Sequence, residues 1–525
     1  MGKIDKNVSQ EEMRIHIIDI LLIGYIGIGF LNLCLITEEG IDWFIIIRWG
    51  VLCLCYVIAR NLVNKRWMLW GIGLVGALEA IWAVCQQNDW IESNHSLFNV
   101  TGTLGNPGQL GGFLSVVLTV MFGLYLLYRQ RKFIRWLILS FSLLIIFVLI
   151  LSDSRAGWLA TLVGCAFVWR AWNRIKRTRL LFRVSVGIVV FFLCFGGYYY
   201  KKKSADGRFL IWRVTSDMIV DAPLLGHGVG SFGEKYMYYQ ARYFKSHPLS
   251  GYAKIADNVI YPYNEFLHVA VEMGMLGILL LVLIIMALLW CVPMRRENMV
   301  YVGGFLALIV FSMFSYPSYV LSLMLLFPVL LGGIVLRKGV RLYSIFAYKY
   351  AWWGIGGLGA CLLGKGYYTF YLLEENIEKL YSDSNSDIVS ANEYIKLHYD
   401  DLKTAPCFLD LYAQYCYKTF PVSESLPILK DAARIVPTSE LFCDLGNLYK
   451  EAGDMTRAVE YYSLASCMIP TRLLPKYELF VLYQEIGDTL LARQVGETIL
   501  SAVVKVESTK ILKIKGSVKR YLEKE

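Results

Sequence analysis

Four polar motifs interrupt an otherwise apolar chain, and each carries residues able to hold or attack an anionic ligand. The first is Thr101-Gly-Thr-Leu-Gly-Asn-Pro-Gly-Gln-Leu-Gly111. Its Gly and Pro residues make the backbone irregular just before an apolar run. Asn106 there is either a substrate contact or part of an ordinary turn. The second, Ser152-Asp-Ser-Arg-Ala-Gly157, places Arg155 as the only Arg or Lys between two apolar runs. An arginine at a bilayer edge is costly unless it is functional, paired (here with Asp153) or snorkelling to the interface.

The third motif is Gly207-Arg-Phe-Leu-Ile-Trp-Arg213, followed by Asp221-Ala-Pro-Leu-Leu-Gly-His-Gly-Val-Gly-Ser-Phe232. Arg208 and Trp212 are four apart and share one face of an expected helix. That helix should stop before Pro223. Around His227, Gly226 and Gly228 let backbone amides approach a ligand closely. A membrane-surface helix and a plain Gly turn fit the same residues. The fourth motif runs from Tyr263-Asn-Glu-Phe-Leu to Glu272-Met-Gly-Met-Leu-Gly277. Asn264, Glu265 and His268 fall within about one helical turn. Polar residues entering a membrane helix are functional candidates. The other account is capping by Asn264, with Glu265 favouring the helix dipole.

Several chemistries lose support. The chain has no P-loop, HExxH, GxSxG or Gly-rich dinucleotide turn, which speaks against ATP hydrolysis, zinc proteolysis and hydride transfer. Its 12 cysteines are scattered without a CxxC, so neither a zinc site nor a redox motif is expected. No metal and no cofactor is expected.

The elements that must position these motifs are membrane helices. The chain has 525 residues, of which only 18% are charged, below the roughly one quarter of a soluble protein. Mean hydropathy is +0.48. Apolar runs of about twenty residues, long enough to cross a bilayer, recur over the first two thirds. About eleven spans are expected. They lie near Ile15 to Ile36, Trp43 to Val63, Trp67 to Cys85, Gln109 to Tyr128, Trp136 to Leu151 and Trp158 to Trp172. The others lie near Val184 to Tyr199, Phe266 to Val292, Val300 to Phe314, Val320 to Leu336 and Tyr350 to Leu372. Asp19, Arg48 and Glu79 fall inside early spans, where mutual pairing is the expected account.

Alternate loops are basic: Arg60 to Arg66, Arg129 to Arg135, Arg174 to Arg179, Arg295 with Arg296, and Arg337 to Arg341. The rule for short loops makes these cytoplasmic, with the N-terminus inside and the C-terminal region outside. The net charge of +10 is therefore spent on orientation, and nucleic acid is a poor partner. The stretch 201–262 is also basic, but long loops are exempt from the rule. It is either a solvated loop or a cationic surface for a phosphate-bearing substrate.

From Glu374 the apolar character fades, which sets two domains, 1–373 and 374–525. Tyr415, Tyr449 and Tyr483 are spaced 34 apart, as are Gly453 and Gly487, Asp454 and Asp488, Ala458 and Ala492, and Leu411 and Leu445. A period of about 34 reads as tetratricopeptide helix pairs stacked in an α-solenoid, a surface for a protein partner. The fold class is all-α: a polytopic membrane bundle plus this solenoid. Truncation before Ser382 is expected to leave the membrane domain folded.

The four motifs in this order, from about Thr101 to Gly277, resemble the O-antigen ligase and polymerase superfamily, with its protein O-oligosaccharyltransferase relatives. The residues that carry the resemblance are GTLGNPGQLGGFL, SDSRAGWLA, GRFLIW with DAPLLGHGVGSF, and YNEFLHVAVEMGMLG. The resemblance implies a GT-C-like membrane glycosyltransferase of the bacterial inner membrane. It implies transfer of a glycan from an undecaprenyl-pyrophosphate carrier to lipid A core, a growing polymer or a protein hydroxyl, on the periplasmic face. Arg155 and Arg208 stand at positions matching the family's pyrophosphate-binding arginines, with Arg213 and Arg242 as weaker candidates. Fixed guanidinium groups suit that role, because they meet the charge developing on a leaving pyrophosphate in bidentate geometry. The family usually has His directly before the Asn of the fourth motif. Here that residue is Tyr263, and a phenol with pKa near about 10 is a poor base at neutral pH. Either Glu265, His268 or His227 takes the base role, or leaving-group stabilisation dominates. A non-catalytic scaffold or flippase of a surface-glycan pathway is the remaining class.

Overall fold

The computed structural model describes residues 14–36, 43–62, 64–173, 187, 195–293, 295–334, 340–341, 361, 364–365, 368, 371–376, 396–502, 504 and 508–523. Among these the chain is helical apart from one two-residue antiparallel pairing of Arg14–Ile15 with Val340–Arg341. The helices are α1 (Ile17–Leu35), α2 (Trp43–Asn61), α3 (Lys65–Gln87), α4 (Pro107–Leu127), α5 (Lys132–Leu151) and α6 (Arg155–Asn173). After these come α7 (Lys202–Asp221), α8 (Ser231–Ser246), α9 (Glu265–Trp290), α10 (Arg296–Ser312) and α11 (Leu321–Gly333).

Six of the described helices, α1 to α5 and α9, are long and apolar enough to cross a membrane. At about 1.5 Å per residue they match a hydrocarbon core of about 30 Å. Three more expected spans coincide with α6, α10 and α11, which fall outside that set. Most of the two expected near Val184 to Tyr199 and Tyr350 to Leu372 lies outside the described residues.

The bundle is organised around α4, whose apolar window is 83% buried, far more than in the other five. Small residues let α6 and α10 approach it closely. A Cβ on Gly112 would lie 2.2 Å from the Phe311 ring, and one on Gly123 2.4 Å from Val300. Gly164 meets Thr119 in the same way, at 2.6 Å. The early charged residues do not pair with one another as expected. Asp19 accepts from the Tyr56 hydroxyl and lies 3.6 Å from Arg60. Arg48 donates to the Ser318 carbonyl at 3.4 Å, and Glu79 accepts the Thr103 amide at 3.1 Å. Each sits near a different polar group, which it reaches more easily than it reaches the others.

The stretch 201–262, read from sequence as a loop, is largely two helices, α7 and α8. The C-terminal region continues as α12 (Pro406–Thr419), α13 (Val422–Ile435), α14 (Ser439–Glu451), α15 (Met455–Met468), α16 (Leu473–Ile486), α17 (Thr489–Ser501) and α18 (Thr509–Leu522). Successive helices pack on one another. The 34-residue spacing has a local cause. Gly453 and Gly487 take φ of 81° and 83° at the ends of α14 and α16. Asp454 and Asp488 then cap the next helices, accepting the amides of Arg457 and Leu491 at 3.0 Å. Ala458 and Ala492 are fully buried where the paired helices meet.

This region does not hang free. Phe232, Tyr236, Met237 and Phe244 of α8 share one core with Phe408, Tyr412, Phe442 and Met468. Inside that core the Gln240 side-chain amide donates to the Met468 carbonyl at 2.7 Å, and at its edge the Tyr238 hydroxyl donates to the Ala433 carbonyl at 3.0 Å. Uncovering each large apolar side chain costs about 1.5–3 kcal/mol. A chain ending before Ser382 is therefore expected to lose its cooperative melting transition and aggregate. This reverses the expectation of a separable tail. A truncated protein that stays monodisperse in detergent with an unchanged Tm would refute the shared core.

Candidate functional site

The third and fourth motifs form one unit. Helix α9 is broken at Gly274, which takes φ 64° and ψ −166°. A break leaves amides and carbonyls without intrahelical partners, and in an apolar bundle they must be satisfied locally. The segment from Pro223 to Gly228 does this. The Met275 and Leu276 amides donate to the Pro223 and Leu224 carbonyls at 2.9 and 3.4 Å. In return the His227 and Gly228 amides donate to the Val271 and Glu272 carbonyls at 2.7 and 3.2 Å. Only glycine fits at the contact. A Cβ on Gly274 would lie 2.2 Å from the Leu224 oxygen, and one on Gly226 2.5 Å from the Val271 oxygen. Buried Asn32 of α1 clamps the segment, donating to the Leu225 carbonyl at 2.5 Å and accepting the Val229 amide at 2.9 Å. The Gly228 amide, expected to face a ligand, is thus committed to α9.

The first and second motifs interlock in the same way. Asn106 caps α4, accepting the Gly108 amide at 2.8 Å. A Cβ on Gly111 would strike Ser154 at 2.2 Å, and one on Gly157 the Gly111 carbonyl at 2.6 Å. Gln86 accepts the Thr101 and Gly102 amides at 3.0 and 2.8 Å, which fixes the turn before α4.

These contacts set Arg155, at the start of α6, near Arg208 of α7. Burial, and then the charge of Arg155, pull the Arg208 pKa below the usual guanidinium value. The opposing influences come from Tyr263 and Tyr316, not from carboxylates. The Arg208 guanidinium lies 5.4 Å from the centre of the Tyr263 ring. Among the described residues Arg208 makes no ion pair with an acid. Arg155 donates to the Gly197 carbonyl. Neighbouring Asp153 pairs with Lys201 at 2.5 Å. Two like charges held together on a half-buried surface are suited to an anion.

A chain of rings leads away from this pair. Tyr263 meets Tyr316 edge-on at 5.2 Å, Tyr316 stacks on Tyr261 at 4.2 Å, and Tyr261 lies 4.4 Å from Tyr319. The Tyr319 hydroxyl is 3.0 Å from Nε2 of His268. His268 sits between two acids, with Nδ1 3.2 Å from Glu265 and Nε2 2.9 Å from Glu272. The second oxygen of Glu265 accepts from the Ser318 hydroxyl at 3.1 Å. Among the described residues no group of three His, Cys, Asp or Glu side chains is placed to hold a metal ion.

Residues 141–282 match a family model described as O-antigen ligase. The matched stretch runs from α5 into α9 and contains both arginines, the glycine segment and the acid–histidine cluster. No curated protein and no solved structure matches the chain.

Within and around this O-antigen-ligase-like segment the expected residues fall into groups. Arg155, Arg208 and Tyr263 come together, and Glu265 and His268 meet just beyond Tyr263 along the chain. Tyr263 holds φ 51°, a strained value for a non-glycine residue, which turns the chain into α9. Asn264 caps α9, accepting the Phe266 and Leu267 amides at 2.9 and 3.2 Å. His227 presents Nε2 to the Met218 carbonyl at 2.8 Å. Burial lowers its pKa, which keeps the ring neutral near pH 7. Arg213 is exposed on α7. Arg242 pairs with Asp221 at 3.0 Å and lies over the Tyr239 ring, also away from Arg155 and Arg208. Sequence reading missed Asn32, Gln86, Tyr261, Tyr316 and Tyr319. The last three were visible as Tyr-Pro-Tyr and Tyr-Pro-Ser-Tyr beside spans.

Gly274→Ala is expected to destabilise the protein by about 1–3 kcal/mol or more, since it combines a positive φ with a backbone collision. Asn32→Leu keeps the volume but strands the buried Val229 amide and frees the Leu225 carbonyl, at about 1–3 kcal/mol. Thermal melts in detergent check both. Wild-type Tm values for the pair would remove the docked segment.

Proposed function

We propose that this chain is a membrane glycosyltransferase of the O-antigen ligase type. It moves a glycan from an undecaprenyl-pyrophosphate carrier to a hydroxyl acceptor, such as lipid A core, on the periplasmic face of the inner membrane. The observation that carries this reading is the Arg155–Arg208 pair, with Arg208 lacking an acid partner among the described residues. The family match over residues 141–282 supports the same chemistry. The alternating basic loops support a cytoplasmic N-terminus and an outside C-terminal region. The repeated helix pairs support a tetratricopeptide-type solenoid at the C-terminus.

The reaction joins the acceptor oxygen to the anomeric carbon as the bond from that carbon to the phosphate oxygen breaks. The pyrophosphate leaves with the electron pair, and Arg155 and Arg208 balance the added charge. Fixed charges do this without reorganising. Glu265 receives the acceptor's proton. His268, held between Glu265 and Glu272, orients that carboxylate. Tyr263 supports Arg208 through its ring face rather than through its hydroxyl.

Arg208→Ala and Arg155→Ala are each expected to lower kcat by about 10²–10³-fold at normal membrane levels. Lys at either position should rescue only partly, because an ammonium lacks the planar fork. Purified protein with lipid-linked glycan would report this in a gel-shift transfer assay, and full activity of both Ala variants would sink the assignment. Turnover should persist in EDTA, since the two guanidinium groups supply the countercharge. A strict need for added divalent ions would contradict that. Tyr263→Phe should keep transfer close to wild type, whereas Tyr263→Ala should lose about 0.5–2 kcal/mol of transition-state stabilisation. A dead Phe variant would make the hydroxyl the base instead.

A further inference from the structure

Glu265 stands in the first turn of α9, where a carboxylate can turn toward the helix's own free amides or toward solvent. Here side chains hold both of its oxygens. Oε1 lies 3.2 Å from Nδ1 of His268, and Oε2 accepts the Ser318 hydroxyl at 3.1 Å. Ser318 belongs to a single tight turn, Pro317–Tyr319, between α10 and α11. Pro317 is buried, and its ring fixes φ at the first position of that turn. The Tyr319 and Val320 amides close the turn on the Tyr316 and Pro317 carbonyls, each at 3.2 Å. Adjacent residues of the turn thus grip the two members of one pair. Ser318 holds Glu265, and the Tyr319 hydroxyl is 3.0 Å from Nε2 of His268.

The turn is itself tied to two membrane helices. Arg48 of α2 donates to the Ser318 carbonyl, and Gln109 of α4 to the Ser315 hydroxyl, both at 3.4 Å. Glu265 and Ser318 also line the cavity beside α9, so the carboxylate is held without being sealed off. A carboxylate offers about four lone-pair sites, and two contacts leave others open to a proton. A neutral hydroxyl suits this task. It fixes the group without cancelling its charge, as a bidentate arginine would.

We infer that Ser318 is a positioning residue for the reaction: its hydroxyl sets the plane of the Glu265 carboxylate, and the Pro317–Tyr319 turn anchors that alignment to α2 and α4. Ser318 acts through Glu265 alone. The inference rests on the glycan-transfer reading, in which Glu265 receives the acceptor's proton.

The test follows transfer by the full-length protein in nanodiscs, with lipid-linked glycan as donor and purified lipid A core as acceptor. Ser318→Ala should lower kcat about tenfold, with KM for the donor within about twofold of the parent and Tm unchanged. Ser318→Thr keeps the hydroxyl and should restore about half of the parent's kcat or more. Ser318→Ala added to Glu265→Gln should cost nothing further, since the group it aligns is gone. A parental kcat for Ser318→Ala, a Thr variant as slow as the Ala variant, or a further tenfold loss in the Glu265→Gln background would overturn the inference. So would a loss carried by KM and Tm with kcat kept, which is the mark of a structural role. A parent that transfers no glycan, or Glu265→Gln at parental kcat, would instead strike the reading beneath it.

Discussion

A helix broken inside an apolar bundle must have its freed backbone groups answered by some other part of the chain. At Gly274 the answer is the segment from Pro223 to Gly228, through four backbone hydrogen bonds. Much of the site's geometry depends on that requirement. It sets the first half of α9, with Glu265, His268 and Glu272, against the start of α8. It also explains the glycines, because the two backbones lie closer than any Cβ allows. Asn32 adds a third segment, tying α1 to the glycine segment that docks on α9.

The charges are sorted along this frame. Arg155 and Arg208 lie at one end of a row of tyrosines and the two acids at the other, with His268 between the acids. Had a carboxylate stood beside Arg208, the pair would neutralise itself and bind anions weakly. The nearby acid, Asp153, is instead drawn to Lys201. Asp221 likewise takes up Arg242. Lys201 and Arg242 thus have acid partners, while Arg208 has none among the described residues. The rings of Tyr263, Tyr316, Tyr261 and Tyr319 fill the space between the two ends.

Much of this was legible in the sequence, and the unread parts share a cause. The membrane helices followed from apolar run length, and the capping account of Asn264 from its place before a helix. Arg155 stood out because an arginine amid apolar residues needs a reason, and Arg208 because it shares a helix face with Trp212 and matches a family position. What the Gly228 amide meets was not readable, since a glycine signals close approach but not what approaches. Here it is another backbone. Asn32 and Gln86 were silent because each looks like one polar residue in a span, and its partner lies far along the chain. The pairings of Asp19, Arg48 and Glu79 failed for the same reason. Periodicity shows which residues share a helix face and says nothing about which face meets which.

The C-terminal helices show how far this limit extends. Their 34-residue rhythm was plain, down to the Gly-Asp turns that start each second helix. A repeat of that kind suggests an autonomous module, because each unit needs only its neighbours. The structure adds a contact the rhythm cannot encode: α8 lies against α13 and α15 and contributes four large side chains to their core. Since α8 begins where the glycine segment ends, packing in the repeats bears on the same body that holds Glu265 and His268. The C-terminal core is thus joined to the site through contiguous contacts, first α8 and then the docked backbone.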